Sequence, residues 1–229
     1  MEVAGVDGCK GGWLLVRADA AGQLRIEEIS IISTFRELID ATAEYAAVAV
    51  DIPIGLPAHE PRAADGEARK AIGARRSSVF PAPMRAVLAA STYDEACALS
   101  LAACGKKLSK QAFAILPKIR EADEAMTPAL QKRLSEVHPE VSFWALNNYQ
   151  PLEHAKLKPD GAPERLRLLT LAYRDDLESI NLPRGAKRDD LYDACVAAWT
   201  AGRIAYGTAQ RLPPEPALDS RGLRMEIVY

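Results

Sequence analysis

Three aspartates occur where an acidic side chain is costly for folding. Asp7 follows the short apolar run of residues 3–6, and Asp51 lies within the apolar run of residues 46–52. Asp193 belongs to a segment of helical pattern near the C-terminus. A carboxylate in an apolar strand costs free energy unless it has a partner or a function. If the two strands are parallel neighbours, we expect Asp7 and Asp51 to emerge at the same edge of the sheet.

The late helix carries more than one acidic residue. Asp190 and Asp193 are three positions apart, so they share a helix face. Asp189 or Asp190 is also explained as a helix cap, because a carboxylate at a helix start accepts backbone N–H groups and complements the helix dipole. Asp193 lies beyond the first turn, beside the small residues Ala194 and Cys195, so capping does not account for it.

Acidic residues that converge raise one another's pKa, and a divalent cation relieves that repulsion. Carboxylate oxygens are the ligands that Mg²⁺ and Mn²⁺ prefer. A pair of such ions can activate water and stabilise the leaving alkoxide in phosphodiester cleavage. The sequence therefore predicts a Mg or Mn site formed by Asp7, Asp51 and Asp193, with a hydrolase of phosphodiester bonds as the function.

Composition places the chain among soluble globular proteins. It has 229 residues, of which 48% are apolar and 26% charged, with a net charge of −2. We expect a single domain over residues 1–229. The four cysteines have no Cys-x-x-Cys spacing, which favours a reduced, cytoplasmic protein and disfavours a zinc site. No apolar stretch is long enough for a membrane span and no secretory signal is apparent, so no membrane partner is expected. The oligomeric state stays open.

Basic residues are concentrated between positions 62 and 85. This segment is interpreted either as a solvated helical face or as a phosphate-binding surface. Ser77 and Ser78 could bind phosphate beside Arg75 and Arg76, or could cap a helix. The predicted substrate-binding residues are Lys10, Arg62, Arg69, Arg76, Ser77 and Ser78.

Hydrophobic patterning predicts an α/β fold with a mixed sheet. Strands are predicted at residues 3–6, 13–16, 24–32 and 46–52, a further strand at 137–143 and a last one at 224–229. Helices are predicted after a cap at Ser33 or Thr34, from Pro163 with Tyr173 and Leu177 on its apolar face, and over residues 189–206. Residues 58–135 are predicted to be a long, mostly helical insertion after the fourth strand.

Six separated segments resemble one known family. They are residues 5–13 (GVDGCKGGW), 51–57 (DIPIGLP), 77–80 (SSVF), 136–143 (EVHPEVSF), 189–194 (DDLYDA) and 219–227 (DSRGLRMEI). The match to the family called domain of unknown function 429 runs nearly end to end. This resemblance implies a ribonuclease H-like fold, with a five- or six-stranded mixed sheet flanked by helices, and a predicted nuclease activity.

The resemblance also implies roles for particular residues. Ribonuclease H-like nucleases take acidic residues from the first strand, the fourth strand and a late helix, which correspond to Asp7, Asp51 and Asp193. Asp190 joins them because Asp190-x-x-Asp193-Ala194 resembles the late helix of Holliday-junction resolvases. Glu140 is implied as an accessory ligand. His138 either shuttles a proton or forms a hydrogen bond in the core.

Two other functions remain possible from the sequence. The glycine-rich residues 5–12 also resemble the phosphate-binding hairpin of sugar kinases and actin-like ATPases, which predicts an ATP-dependent phosphotransferase. Such enzymes usually need two core domains, and we find no second copy of the hairpin. The other possibility is a non-catalytic nucleic-acid-binding or scaffold protein. The substrate of a nuclease is left open among DNA, RNA and a small nucleotide.

Overall fold

The computed structural model describes all 229 residues, and helices cover both faces of its main β-sheet. The strands are Glu2–Cys9 (β1), Gly12–Asp19 (β2), Arg25–Ile32 (β3), Ala47–Val50 (β4), Leu134–Glu136 (β5), Arg211–Leu212 (β6) and Ile227–Val228 (β7). The helices are Phe35–Ala41 (α1), Ala63–Ala71 (α2), Tyr93–Cys104 (α3), Lys110–Ala114 (α4), Leu116–Ala125 (α5), Pro139–Leu146 (α6), Gly161–Ala172 (α7) and Arg188–Ala205 (α8). Short 3₁₀ helices occur at Gly73–Ser78, Arg85–Ala89 and Leu130–Lys132.

The main sheet has five strands in the order β3-β2-β1-β4-β5. β2 is antiparallel to both of its neighbours, β1 and β3, whereas β4 runs parallel to β1 and β5 runs parallel to β4. β6 and β7 form a separate two-stranded sheet. The predicted α/β fold with a mixed five-stranded sheet flanked by helices is confirmed.

Each face of the sheet packs against its own helices, as the alternation of strand side chains requires. Val3, Ala47 and Ala49 belong to the apolar core that includes α8. Val6 and Val50 belong to the core on the other face, with residues of α1 and α5. β4 is buried on both faces, which explains why its sequence is a continuous apolar run.

α8 approaches β1 closely because Gly5 has no side chain. A Cβ built on Gly5 would lie 1.9 Å from the carbonyl oxygen of Ala194 and 2.1 Å from the backbone nitrogen of Ala198. The backbones of the strand and the helix are therefore in direct contact at this point. This contact sets the distance between α8 and β1, and so it helps to position Asp193 relative to β1.

The predicted strand at residues 137–143 is wrong. The strand there, β5, ends at Glu136, and Pro139 then begins helix α6. Proline suits the first turn of a helix because its missing N–H would have no helical partner there. His138 caps this helix, since its Nδ1 accepts a hydrogen bond from the Glu140 N–H at 3.2 Å. Glu140 consequently lies in a first helical turn rather than in a strand.

Other predicted bounds also change. β1 continues through Asp7 to Cys9, so Asp7 lies within the strand. α7 ends at Ala172, and Tyr173 and Leu177 are buried beyond its end. The last predicted strand shortens to Ile227–Val228, which pairs with β6 outside the main sheet.

The region of residues 58–135 begins after β4, contains helices α2 to α5 and extends into β5. Its helix α5 buries Ile119 and Ala122 against the main sheet. The region also has an apolar cluster of its own, which includes Val87, Ala96 and Leu108. No helix in the chain combines the length and the apolar character that crossing a membrane would require.

Candidate active site

Asp7 and Asp51 come from neighbouring parallel strands. Val6 pairs with Val50, and the Asp51 N–H donates to the Val6 carbonyl at 2.9 Å just past the end of β4. Side chains two positions apart on a strand point to the same face, so Asp7 lies on the face of Gly5, which contacts α8. Both carboxylates therefore lie near one end of the parallel pair, as the sequence predicts.

Asp193 reaches the same place from the helix. It precedes Ala194, whose carbonyl lies against Gly5, and its side chain is buried. Burial raises the pKa of Asp7 well above its usual value, and the nearby charges of Asp193 and Asp51 raise it further. We call Asp7, Asp51 and Asp193 the carboxylate cluster.

The cluster is electrostatically strained at neutral pH. Burial raises the pKa of Asp51 to about 7 and that of Asp193 to about 6, although the Lys156 charge opposes both shifts. An acid kept partly protonated in this way gains from any cation that it can contact. Perturbed acids in one cluster are characteristic of functional sites.

Lys156 lies among these acids, and sequence reasoning missed it. Its ammonium donates a hydrogen bond to Asp193 Oδ2. Burial lowers the pKa of Lys156, but Asp193 and Asp7 outweigh that effect and raise it. The residue belongs to the segment between α6 and α7, which has no hydrophobic period. No signal in the single sequence marks it as a site residue.

Asp190 lies at the edge of the cluster and has a capping role. Its Oδ2 accepts a hydrogen bond from the Lys187 N–H at 2.8 Å, so it satisfies a free donor at the start of α8. Its charge also contributes to the raised pKa of Asp7, which places it near the cluster. The capping interpretation and the site interpretation of Asp190 therefore both have structural support.

Glu140 is held beside the cluster by a buried arginine. Its Oε1 accepts from Arg165, whose side chain is 1% exposed, whereas the buried Oε2 has no hydrogen-bond partner. The Glu140 charge contributes to the raised pKa of Asp193. A buried carboxylate oxygen without a partner is unfavourable, so Oε2 is available to a donor or a cation.

His138 supports the loops around the site. Because its Nδ1 accepts from the Glu140 N–H, its Nε2 carries the proton and lies 3.3 Å from the Ser78 carbonyl oxygen. Burial lowers the pKa of His138, which favours this neutral form. Of the two roles predicted for His138, the structure supports hydrogen bonding.

Arg62, a predicted substrate-binding residue, is buried and paired with acids of the protein. Its side chain is 1% exposed and forms a bidentate pair with Glu136, at 2.7 Å for each contact. The same guanidinium also donates to Asp65 and to the carbonyls of Ile54 and Gly55. All its donors are used within the protein, which disfavours the predicted substrate-binding role. Glu136, in the EVHPEVSF segment, is the partner that sequence reasoning overlooked.

The other basic candidates differ in exposure. Arg69 donates to the Val79 carbonyl at 2.7 Å, so it partly supports the loop. Ser78 is partly buried, whereas Arg76, Ser77 and Lys10 are exposed and could reach a phosphate. A small cavity of about 30 Å³ opens nearby, and its lining includes Asp51, Phe80 and His138.

The residue types fit a hard divalent cation, although one of the acids, Asp193, is paired with Lys156. The cluster and the free Oε2 of Glu140 offer only carboxylate oxygens, the donors that Mg²⁺ and Mn²⁺ take. No three acidic, histidine or cysteine side chains are grouped as they would be around a metal ion. A metal would need the acids to draw together around it.

These features define an α/β protein in which acids from β1, from the end of β4 and from a late helix meet around one lysine. The chain belongs to the family described as Protein of unknown function (DUF429), whose profile matches residues 5–218. The membership predicted from the six motifs is confirmed. No curated protein and no solved structure matches the chain significantly.

Proposed function

We propose that this protein is a metal-dependent nuclease or phosphodiesterase with a ribonuclease H-like fold. The observation that carries the proposal is the convergence of buried Asp7 and Asp193 with the partly exposed Asp51. The sheet order β3-β2-β1-β4-β5, with three antiparallel strands followed by two parallel ones, supports the fold that the family resemblance implies. The chain has one such sheet, which favours a hydrolase over a two-domain phosphotransferase.

In this proposal Asp7, Asp51 and Asp193 hold Mg²⁺ or Mn²⁺. When bound, the ion supplies the positive charge that stabilises phosphodiester hydrolysis, in which water adds to phosphorus and an alcohol leaves. Glu140 offers its free Oε2 as a further acceptor, and Arg165 keeps that carboxylate in place. Exposed Lys10 and Arg76 are the candidates that contact substrate phosphates.

The substrate class follows from the shape around Asp51. The cavity beside it is small, and Val79 and Phe80 form part of its lining. A duplex about 20 Å wide needs an open surface, whereas a single strand or nucleotide can enter a cleft with its base unstacked. We therefore propose a single-stranded or small substrate.

The proposal is tested with labelled single-stranded RNA, single-stranded DNA and branched DNA, in Mg²⁺, in Mn²⁺ and in EDTA. We expect cleavage by the wild type in metal, and a loss of at least about 100-fold in Asp7→Asn and in Asp193→Asn. Asp40→Asn is the matched control, because Asp40 is exposed at the end of α1. Circular dichroism checks that each variant is folded.

Two results would overturn the proposal. One is cleavage that persists in EDTA or in Asp7→Asn. The other is the absence of both cleavage and saturable Mn²⁺ binding in calorimetry. ATP hydrolysis with Mg²⁺ in place of nucleic-acid cleavage would favour the phosphotransferase.

A further inference from the structure

The carboxylate cluster includes a positive charge from the protein itself, the ammonium of Lys156. The Lys156 ammonium pairs with Asp193, and its charge acts on Asp7 and Asp51 as well. These three acids come from β1, from the end of β4 and from α8. Lys156 is therefore the one basic group whose influence reaches every member of the cluster.

We infer that Lys156 is a built-in counterion that occupies the cluster without metal and that a divalent cation must displace. The inference rests on the proposed function, because it assigns Lys156 a part in loading the same metal site. Lys156 is then a positioning residue that sets how tightly metal binds. Two independent features support it. The first is the exposure of the Lys156 side chain on a fixed turn, and the second is that the carboxylates outnumber the positive charges beside them.

The backbone at Lys156 is anchored, whereas its side chain is partly exposed. A Cβ on Gly161 would lie 2.3 Å from the Ala155 carbonyl oxygen, so only glycine allows this turn to pack on the start of α7. The Lys158 N–H also donates to the Ala155 carbonyl at 2.9 Å. The Lys156 side chain itself is 34% exposed, and its neighbour Leu157 is 91% exposed. The side chain is therefore partly accessible to solvent, whereas the turn that carries it is held in place.

The acids also outnumber the cations available to them. One ammonium can balance only one of the three cluster carboxylates, and its hydrogen bond goes to Asp193. Glu140 Oε2, which is buried and without a partner, lies near enough for its charge to affect Asp193. A divalent ion balances more of this charge and takes more oxygen ligands than a lysine can. In the exchange that we propose, the ion takes the place of the lysine and balances more of the charge of the cluster.

Removal of the competing charge should tighten metal binding. We propose Mn²⁺ titration by calorimetry, at low salt and neutral pH, of the wild type, Lys156→Met and Lys156→Gln. Gln keeps a hydrogen-bond donor for Asp193 but carries no charge, so it guards against misfolding of the Met variant. Lys158→Met is the matched control, since Lys158 is exposed two positions further along. Lys156→Arg keeps the positive charge.

We expect Mn²⁺ to bind Lys156→Met and Lys156→Gln at least ten-fold more tightly than the wild type. Lys158→Met and Lys156→Arg should bind with wild-type affinity or, for the arginine, more weakly. Equal or weaker binding in both neutral variants, with a wild type that binds Mn²⁺, overturns this inference and leaves the proposed function standing. Absence of binding in every variant overturns the metal site itself and the inference with it.

Discussion

Asp51 is the acid whose titration should be visible in the stability of the folded protein. Burial raises its pKa to about 7, while an aspartate in an unfolded chain titrates near about 4. A folded-state pKa above the unfolded one means that stability is fully present below pH of about 4 and is lost as the pH rises through about 7. Asp51→Asn is neutral throughout and should escape this loss.

The size of the effect follows from the two pKa values. Each unit of pKa difference corresponds to about 1.36 kcal/mol, so a gap of about 3 units sets an upper bound of about 4 kcal/mol at pH 8. The Asp51 side chain is partly exposed, and water near it reduces that figure. We expect Asp51→Asn to be more stable than the wild type by about 1–3 kcal/mol at pH 8 and nearly equal to it at pH 4.

Urea unfolding followed by circular dichroism at pH 4, 6 and 8, with EDTA present, measures this difference. Asp40→Asn is the control, and its offset from the wild type should not change with pH. The reasoning would be refuted by an Asp51→Asn protein that is no more stable than the wild type at pH 8. Added Mn²⁺ should reverse the order, because a ligand that binds only the folded wild type stabilises it.

Two further substitutions test the packing and the buried ion pairs by urea unfolding. Gly5→Ala places a Cβ 1.9 Å from the Ala194 carbonyl, so it should cost about 3 kcal/mol or prevent folding, whereas Gly66→Ala, with open space around it, should be neutral or slightly stabilising. Equal stability of the two variants would contradict the close contact. Arg62→Met leaves Glu136 buried without its cation and should cost about 3–5 kcal/mol. Replacing Glu136 by Leu in the same chain should recover part of that loss, and a failure to recover any would contradict the pairing.

The sheet could be predicted because its pattern is local. The apolar run of β4 is continuous because both of its faces are buried. The first three strands show an alternation of apolar and polar residues or end at glycine-containing turns. Asp7 and Asp51 were predicted to lie together because parallel neighbours end at one edge, and that argument needs only the strand order. Asp193 could be predicted as a site residue because it lies beyond the first helical turn, where helix capping does not explain an aspartate.

Features that depend on distant partners could not be predicted in this way. Apolar and polar residues alternate over positions 137–143 as they do in a strand. Pro139 in the first turn and the His138 cap instead stabilise a helix there. Arg62 lies in a basic run that suggests a surface, and its partner Glu136 is 74 positions away. Lys156 lies in a segment without periodicity, so only the folded chain brings it to the acids.

Two of the buried acids near the site pair with an arginine, and a third pairs with a lysine. This difference in the basic residue distinguishes the fixed ion pairs from the one that we propose to be exchangeable. Arg62 and Arg165 have side chains that are 1% exposed, and they bind Glu136 and Glu140 in the interior. A guanidinium is a planar group with five donors, so several hydrogen bonds hold it in place. A lysine is a single charge on a flexible stem, and Lys156 reaches its acid from the solvent side. Of the three cations paired with these acids, Lys156 is therefore the most exposed and the least constrained, which agrees with the exchange that we propose.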